Sequence, residues 1–196
     1  MQAVSHFHPP HSHSEFGYAG FWRRVCAFAV DYVVIAAYLI LLAILALVLN
    51  ILSATLLPDL FGTERSAHLT AFPVLTVPLT LYFALMEASP WQGTIGKRLL
   101  HLCVVRDDDT QLTLLRALAR TAVQFIPWGV AHTLIWRLHF QPDATPALIN
   151  LGFLIVWAIL LANFALMIFS RAHQALYDRI AGTIVVMHCL RISSEV

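Results

Sequence analysis

The 196-residue chain is 59% hydrophobic and 12% charged, with a mean hydropathy of +0.74. Soluble domains carry about 25% charged residues, so twelve Lys and Arg with eleven Asp and Glu cannot give a fold of this size a polar skin. Low charge with abundant aliphatic and Phe residues excludes a disordered chain. The formal net charge of +1 supplies no basic field for nucleic acid. The composition is that of an integral membrane protein with the lipid bilayer as its surroundings.

Residues 1–15 form a polar tail with His6, His8, His11 and His13. Such tracts can gather a metal, but no carboxylate or Cys completes the set, so these are weak metal candidates on a disordered tail. The tail lacks a basic n-region and a small-residue cleavage site, so no cleaved leader is expected. A span needs about 20 apolar residues to cross a hydrocarbon core of roughly 30 Å. The first such stretch is 25–49, interrupted by Asp31 alone. A loop over 50–68 follows. The second span, 69–88, contains Pro73 and Pro78 and ends at Glu87. The connection 89–116 holds a short β-like run at 99–105, closed by the turn Arg106-Asp107-Asp108-Asp109. The third span, 117–138, is the most polar, with Arg120, Gln124, Pro127, His132 and Arg137. The fourth, 147–170, is apolar except for Asn150 and Asn163. A second β-branched run, 183–188, precedes a tail at 191–196. Neither run makes a stable sheet alone, and the expectation is that they pair as a ribbon. The fold class is therefore an all-α membrane protein of four transmembrane helices with a small cytoplasmic two-stranded element, its domain spanning 16–190.

Orientation follows from the flanking cations. Arg23 and Arg24, then Lys97, Arg98, Arg106, Arg116 and Arg120, then Arg171, Arg179 and Arg191 fall on one side, against Arg65 and Arg137 on the other. That split puts both termini and the middle connection in the cytoplasm of a cell whose plasma (inner) membrane the chain spans. Cys26, Cys103 and Cys189 are far apart in sequence with no metal spacing, and are expected as three unpaired thiols.

An ionised Asp near a helix centre costs about 2.5–3.5 kcal/mol on the insertion scale. Intramembrane charges commonly mark ion or proton pathways. Asp31 is thus either an interhelical clamp or an ion-handling group. Arg24 lies seven residues earlier on nearly the same helix face, but its guanidinium should snorkel away from Asp31, so a partner from another helix is expected. Glu87 is either exposed at the interface or clustered with Lys97. Arg116 and Arg120, four apart on one face, read as topology determinants and lipid contacts. His132 is a packing residue or a proton relay, and Asn163 makes an interhelical hydrogen bond beside Ala158 and Ala162. The run Gly93-Thr94-Ile95-Gly96-Lys97-Arg98 is no phosphate loop, because the glycines are three apart and Arg98 stands where a hydroxyl must reach Mg²⁺. No nucleophile triad, zinc signature or paired-carboxylate motif is present, so no enzyme and no cofactor is expected.

Three motifs resemble the RDD family of bacterial membrane proteins, named for one arginine and two aspartates. They are Ala19-Gly20-Phe21-Trp22-Arg23-Arg24-Val25-Cys26-Ala27 leading to Asp31, Gly93-Thr94-Ile95-Gly96-Lys97-Arg98-Leu99-Leu100, and Ala175-Leu176-Tyr177-Asp178-Arg179-Ile180-Ala181-Gly182-Thr183. By that resemblance the arginine is Arg24 and the aspartates are Asp31 and Asp178. The family implies transport of unidentified ligands, some members being regarded as cation/proton antiporters. The candidates for ion or proton handling or gating are then Arg24, Asp31, Asp178, Lys97, Glu87 and His132, with monovalent cations and protons as partners and a homodimer built on the small-residue face of span four. The alternative is a non-transport scaffold or accessory protein in which the same Arg and Asp residues are structural ion pairs.

Overall fold

A computed structural model of the chain describes residues 17–141 and 146–187. The histidine tail and its four metal candidates, and residues 188–196, lie outside them. Helix α1 (Phe21–Leu52) is followed by two short helices, α2 (Leu56–Phe61) and α3 (Glu64–Ala71). A π-helical segment (Phe72–Thr76) joins α3 to α4 (Val77–Ala88). Then come α5 (Ile95–Leu99), strand β1 (Leu102–Arg106), α6 (Leu114–Phe140), α7 (Pro146–Phe169), α8 (Leu176–Ala181) and β2 (Thr183–Met187).

Three of these segments are long and apolar enough to cross a membrane: Phe21–Leu52, Glu64–Ala88 and Pro146–Phe169. Only 6% of the most apolar stretch of α1 and 11% of that of α7 is buried inside the protein. Ile40, Leu41, Ile44, Leu47 and Val48 of α1 face outward. Apolar surface of that extent needs lipid around it. Helix α6 is 27 residues long, but Gln124, His132 and Arg137 interrupt its apolar run.

The region expected as a loop over 50–68 is largely helical, which corrects that reading. Thr63 and Ser66 cap α3 reciprocally, the Ser66 N–H donating to Thr63 Oγ1 at 3.1 Å and the Thr63 N–H to Ser66 Oγ at 3.2 Å. With its first turn so satisfied, the second membrane segment starts at Glu64 rather than near residue 69. Pro73 falls inside the π-helical turn and Pro78 in the first turn of α4, and each lacks the N–H that an α-helix needs. Pro78 leaves the Val74 carbonyl without its i+4 donor, and the Tyr38 hydroxyl of α1 donates to it instead.

The ribbon forms as expected. β1 and β2 pair antiparallel, with Leu102 opposite Met187 and Arg106 opposite Thr183. Residues 17–19 lie along β2: the Ala19 N–H donates to Val185 O and the Met187 N–H to Gly17 O, both at 2.9 Å. One face of the ribbon packs Leu102, Val104 and Val185 with Leu112 and the alanines Ala19, Ala27, Ala84 and Ala117. Small side chains there let the ends of α1, α4 and α6 converge on the ribbon. Cys103 is disulfide-bonded and Cys26 is free, so the expectation of three separate thiols does not hold. Cys189 lies outside the described residues.

Among the described glycines Gly96 makes the closest approach to a neighbouring element. A Cβ there would stand 2.0 Å from Ala27 O and 3.0 Å from Asp31 Cγ, so α5 lies directly on the backbone of α1. Because the obstacle is backbone, Gly96→Ala should push α5 off α1 and cost about 1–3 kcal/mol. Gly20→Ala, where a Cβ meets nothing within 4 Å, should melt like the parent in detergent. Equal melting temperatures for the two variants would refute the close contact.

Candidate functional site: a buried layer of alternating charge

Five charged side chains from five elements meet beside the ribbon. Glu87, at the end of α4, is fully buried. It accepts two hydrogen bonds from Arg120 Nη1 of α6, at 2.7 and 2.6 Å, and one from Lys97 Nζ of α5. Arg120 then turns its Nε and Nη2 to Asp178 Oδ1, at 3.0 and 2.7 Å. Asp178 Oδ2 accepts from Arg24 Nη2 of α1 and from the Ala175 N–H at 3.0 Å, which also caps α8. Arg24 finally donates to the His173 carbonyl. The run is Lys97, Glu87, Arg120, Asp178, Arg24, alternating in sign from end to end.

Arg120 is the centre of this run and is 1% exposed. Its guanidinium carbon lies 4.9 Å from the centroid of the Tyr177 ring. Planar, with five donors and a permanent charge, it can bridge two carboxylates at once, as it does here. The expectation that Arg120 contacts lipid is therefore corrected. Arg116, four residues earlier, is exposed, so one helix face carries one arginine out and one in.

Burial by itself would push the Asp178 carboxyl up. The Arg120 and Arg24 guanidinia, with the Arg24 and Ala175 hydrogen bonds, overcome it and hold the group down to about 2. For Lys97 burial is again the largest influence and drives the amine below the usual lysine range. Glu87 opposes that shift, and the positive charges of Arg120 and Arg24 add to it.

Asp31 forms a second centre on α1, 1% exposed. Its Oδ1 accepts from the Tyr82 hydroxyl at 3.0 Å and from the Gly96 N–H at 2.9 Å, and its Oδ2 from the Thr94 hydroxyl at 2.6 Å. Thr94 in turn caps α5. Among the described residues Asp31 takes part in no ion pair, and its partners come from α4 and the start of α5 rather than from Arg24.

The structure thus brings Arg24, Asp178, Glu87 and Lys97 into one cluster and sets Asp31 beside it, joined through the Gly96–Lys97 peptide. His132 is elsewhere. It stands twelve residues along α6 from Arg120, roughly 18 Å at 1.5 Å per residue. Its Nε2 accepts from Trp136 Nε1 at 2.7 Å, and its ring stacks on Trp128. Asn163 links α7 to α8 through the Leu176 N–H, at 3.0 Å. Arg120, Tyr82, Thr94, Gly96 and Tyr177 complete the two centres without having been singled out as site residues. The one available signal was Arg120 itself, a charge a full turn deeper than Arg116. Among the described residues no group of three His, Cys, Asp or Glu is placed to hold a metal.

A helical protein with lipid-facing segments, closed at one end by a ribbon and a buried layer of paired charge, is the class so defined. The sequence model of the RDD family matches residues 18–182, and the chain belongs to that family. It is also similar to the uncharacterized protein YxaI of Bacillus subtilis (strain 168), with 30% identity over 112 residues covering 52% of this chain and 72% of the relative. No solved structure matches.

Removing Arg120 takes one of two cations from each of two buried carboxylates, and breaking buried pairs costs about 3–5 kcal/mol. Arg120→Ala is expected to lose that much in detergent unfolding, and Arg116→Ala less than about 0.5 kcal/mol; equal losses would contradict the placement of the two arginines. Asp178 gives an acid-side expectation. Its carboxyl is held below its unfolded value of about 3.9, so its contribution is complete above that pH and is lost as pH falls toward about 2. Unfolding measured from pH 5 downward should show this loss in the parent and a smaller one in Asp178→Asn.

Proposed function

We propose that the protein exchanges a monovalent cation for a proton across the plasma membrane, with Asp31 as the group that binds either species. The observation that carries this reading is the Asp31 carboxylate itself, buried in a membrane-crossing helix and held by three neutral donors, with no ion pair among the described residues. An exchanger needs a site that two cations can occupy in turn, and a carboxylate held by neutral donors leaves its charge open to one. Arg24 and Asp178 then brace the mouth of the path, with Lys97 and Glu87 at its side. In this reading α6 is the fourth span, and the excess of Lys and Arg puts the charged end and both termini in the cytoplasm. The small-residue seam at Ala158 and Ala162 of α7 is the face on which two copies meet. No catalytic chemistry and no cofactor enter.

A specific observation favours the second reading, a non-transport scaffold. All three Asp31 bonds go to Tyr82, Thr94 and Gly96, which fasten α5, and the Arg24–Asp178 pair fastens α1 to α8. Every charge is then a tie between elements. The two readings separate in proteoliposomes carrying an imposed pH gradient, with Na⁺, K⁺ or Li⁺ added in turn. Exchange requires cation-dependent collapse of the gradient by the parent and none by a folded Asp31→Asn variant. A folded, oriented parent that leaves the gradient standing with every cation would favour the scaffold; a fully active Asp31→Asn would keep exchange but remove Asp31 as its site.

A further inference from the structure

The layer contains three cations and two carboxylates, and its net charge can change only where a proton can leave or enter. A proton added to Glu87 or Asp178 would face two cations in either case, since Glu87 holds Lys97 and Arg120 while Asp178 holds Arg120 and Arg24. The two guanidinia do not deprotonate in proteins. That leaves Lys97. The same residue is the single lysine of the chain, the other eleven basic residues counted with it being arginines. It ends the run rather than sitting inside it, with one carboxylate partner where Arg120 has two. Its side chain is also 13% exposed, against 1% for that of Arg120, so water can reach it.

We propose that Lys97 is the proton-exchange site of the charged layer, giving up and taking back the proton that sets the layer's net charge and thereby governing how tightly α5 is held to α4. The step is simple: the ammonium releases one proton to water, the neutral amine remains, and the ion pair with Glu87 becomes a neutral contact. The surroundings favour release. The charged groups near Nζ are Glu87 from α4, Arg120 from α6, and Arg24 from α1. Asp31, also on α1, is engaged with Gly96 and Thr94. On α5 itself Arg98 turns away and lies over Trp91, 5.1 Å from the ring centroid. The buried portion of β1 packed against α5 is apolar from Leu102 to Val105. Burial and the two arginines thus outweigh the one carboxylate, in the direction given above for the amine. With the amine neutral, α5 keeps its bonds to Asp31 but loses its ionic tie to α4. The proposal concerns the protein's own proton and stands apart from whether a cation is exchanged for it.

A chain with one lysine gives one side-chain signal when grown on ¹⁵Nζ-lysine, so the test is a direct NMR titration of the whole protein in detergent micelles. The Nζ midpoint is expected below the ordinary lysine value of about 10.4; a midpoint at or above it would overturn the proposal. Amide exchange across residues 95–100 reads the coupling to α5. In the parent it should rise more steeply than base catalysis alone as pH passes the Nζ midpoint. In Lys97→Arg, which keeps the charge and cannot lose it, it should follow base catalysis. Matching profiles would overturn the switch. Should the arginine variant not fold, the parent titration still decides whether Lys97 exchanges its proton.

Discussion

Arg120 has to be buried between Glu87 and Asp178, and most of the architecture follows from that requirement. A guanidinium in this position needs two carboxylates with correct geometry, one from the end of α4 and one from the start of α8. Asp178 reaches it only because α8 is turned back against the bundle, with Arg24 holding the other oxygen and the His173 carbonyl. That return also delivers β2 to β1, so the ribbon and the charged layer are two consequences of one chain path. The alanine seam beneath the ribbon permits the helix ends to come close enough for both.

Such a layer is an expensive way to hold helices together. Buried ion pairs gain little over well-packed apolar side chains of the same volume, whereas breaking one partner is costly. Their benefit lies in register and in charge. Each of the five side chains has a specific neighbour, so α1, α4, α5, α6 and α8 cannot slide past one another without stranding a charge. Asp31 adds a different kind of constraint, with neutral donors from α4 and α5 and a glycine that lets α5 touch the α1 backbone. One centre is fully paired and the other is an anion among dipoles, and this contrast is the basis for assigning them different work.

Much of this was legible in the sequence. Composition and span lengths announced lipid-facing helices, the β-branched runs around Val104 and Val185 announced their pairing, and the motifs around Arg24, Asp31, Lys97 and Asp178 marked the cluster. Arg120 was not legible. Four residues from Arg116 on the same face, it carries the same charge; one turn of extra depth was its one signal, and its two carboxylate partners come from α4 and α8, distant in sequence. Tyr82 was hidden for a related reason, since an aromatic in an apolar span looks like core until a carboxylate is found at its hydroxyl. The helices α2 and α3 were masked by Pro58, Gly62 and several polar residues, although the Thr63–Ser66 cap is a local signal. His132 shows the converse, a polar residue of α6 that packs on the aromatic rings Trp128 and Trp136 of its own helix.

Whether the five charges act as one unit is the central physical claim, and its two ends supply the most direct measurement. Lys97 and Asp178 form no ion pair with each other among the described residues; the bonded route between them runs through Glu87 and Arg120. Unfolding free energies of the parent, Lys97→Met, Asp178→Asn and the double variant complete a double-mutant cycle. Removing the lysine takes away a positive charge and neutralising the aspartate a negative one, so the double variant keeps the layer's original net charge. The account requires the double variant to lose less than the sum of the single losses, by more than about 0.5 kcal/mol. Strict additivity would show that the ion pairs are separate local contacts, and the account of a single coupled layer would fall.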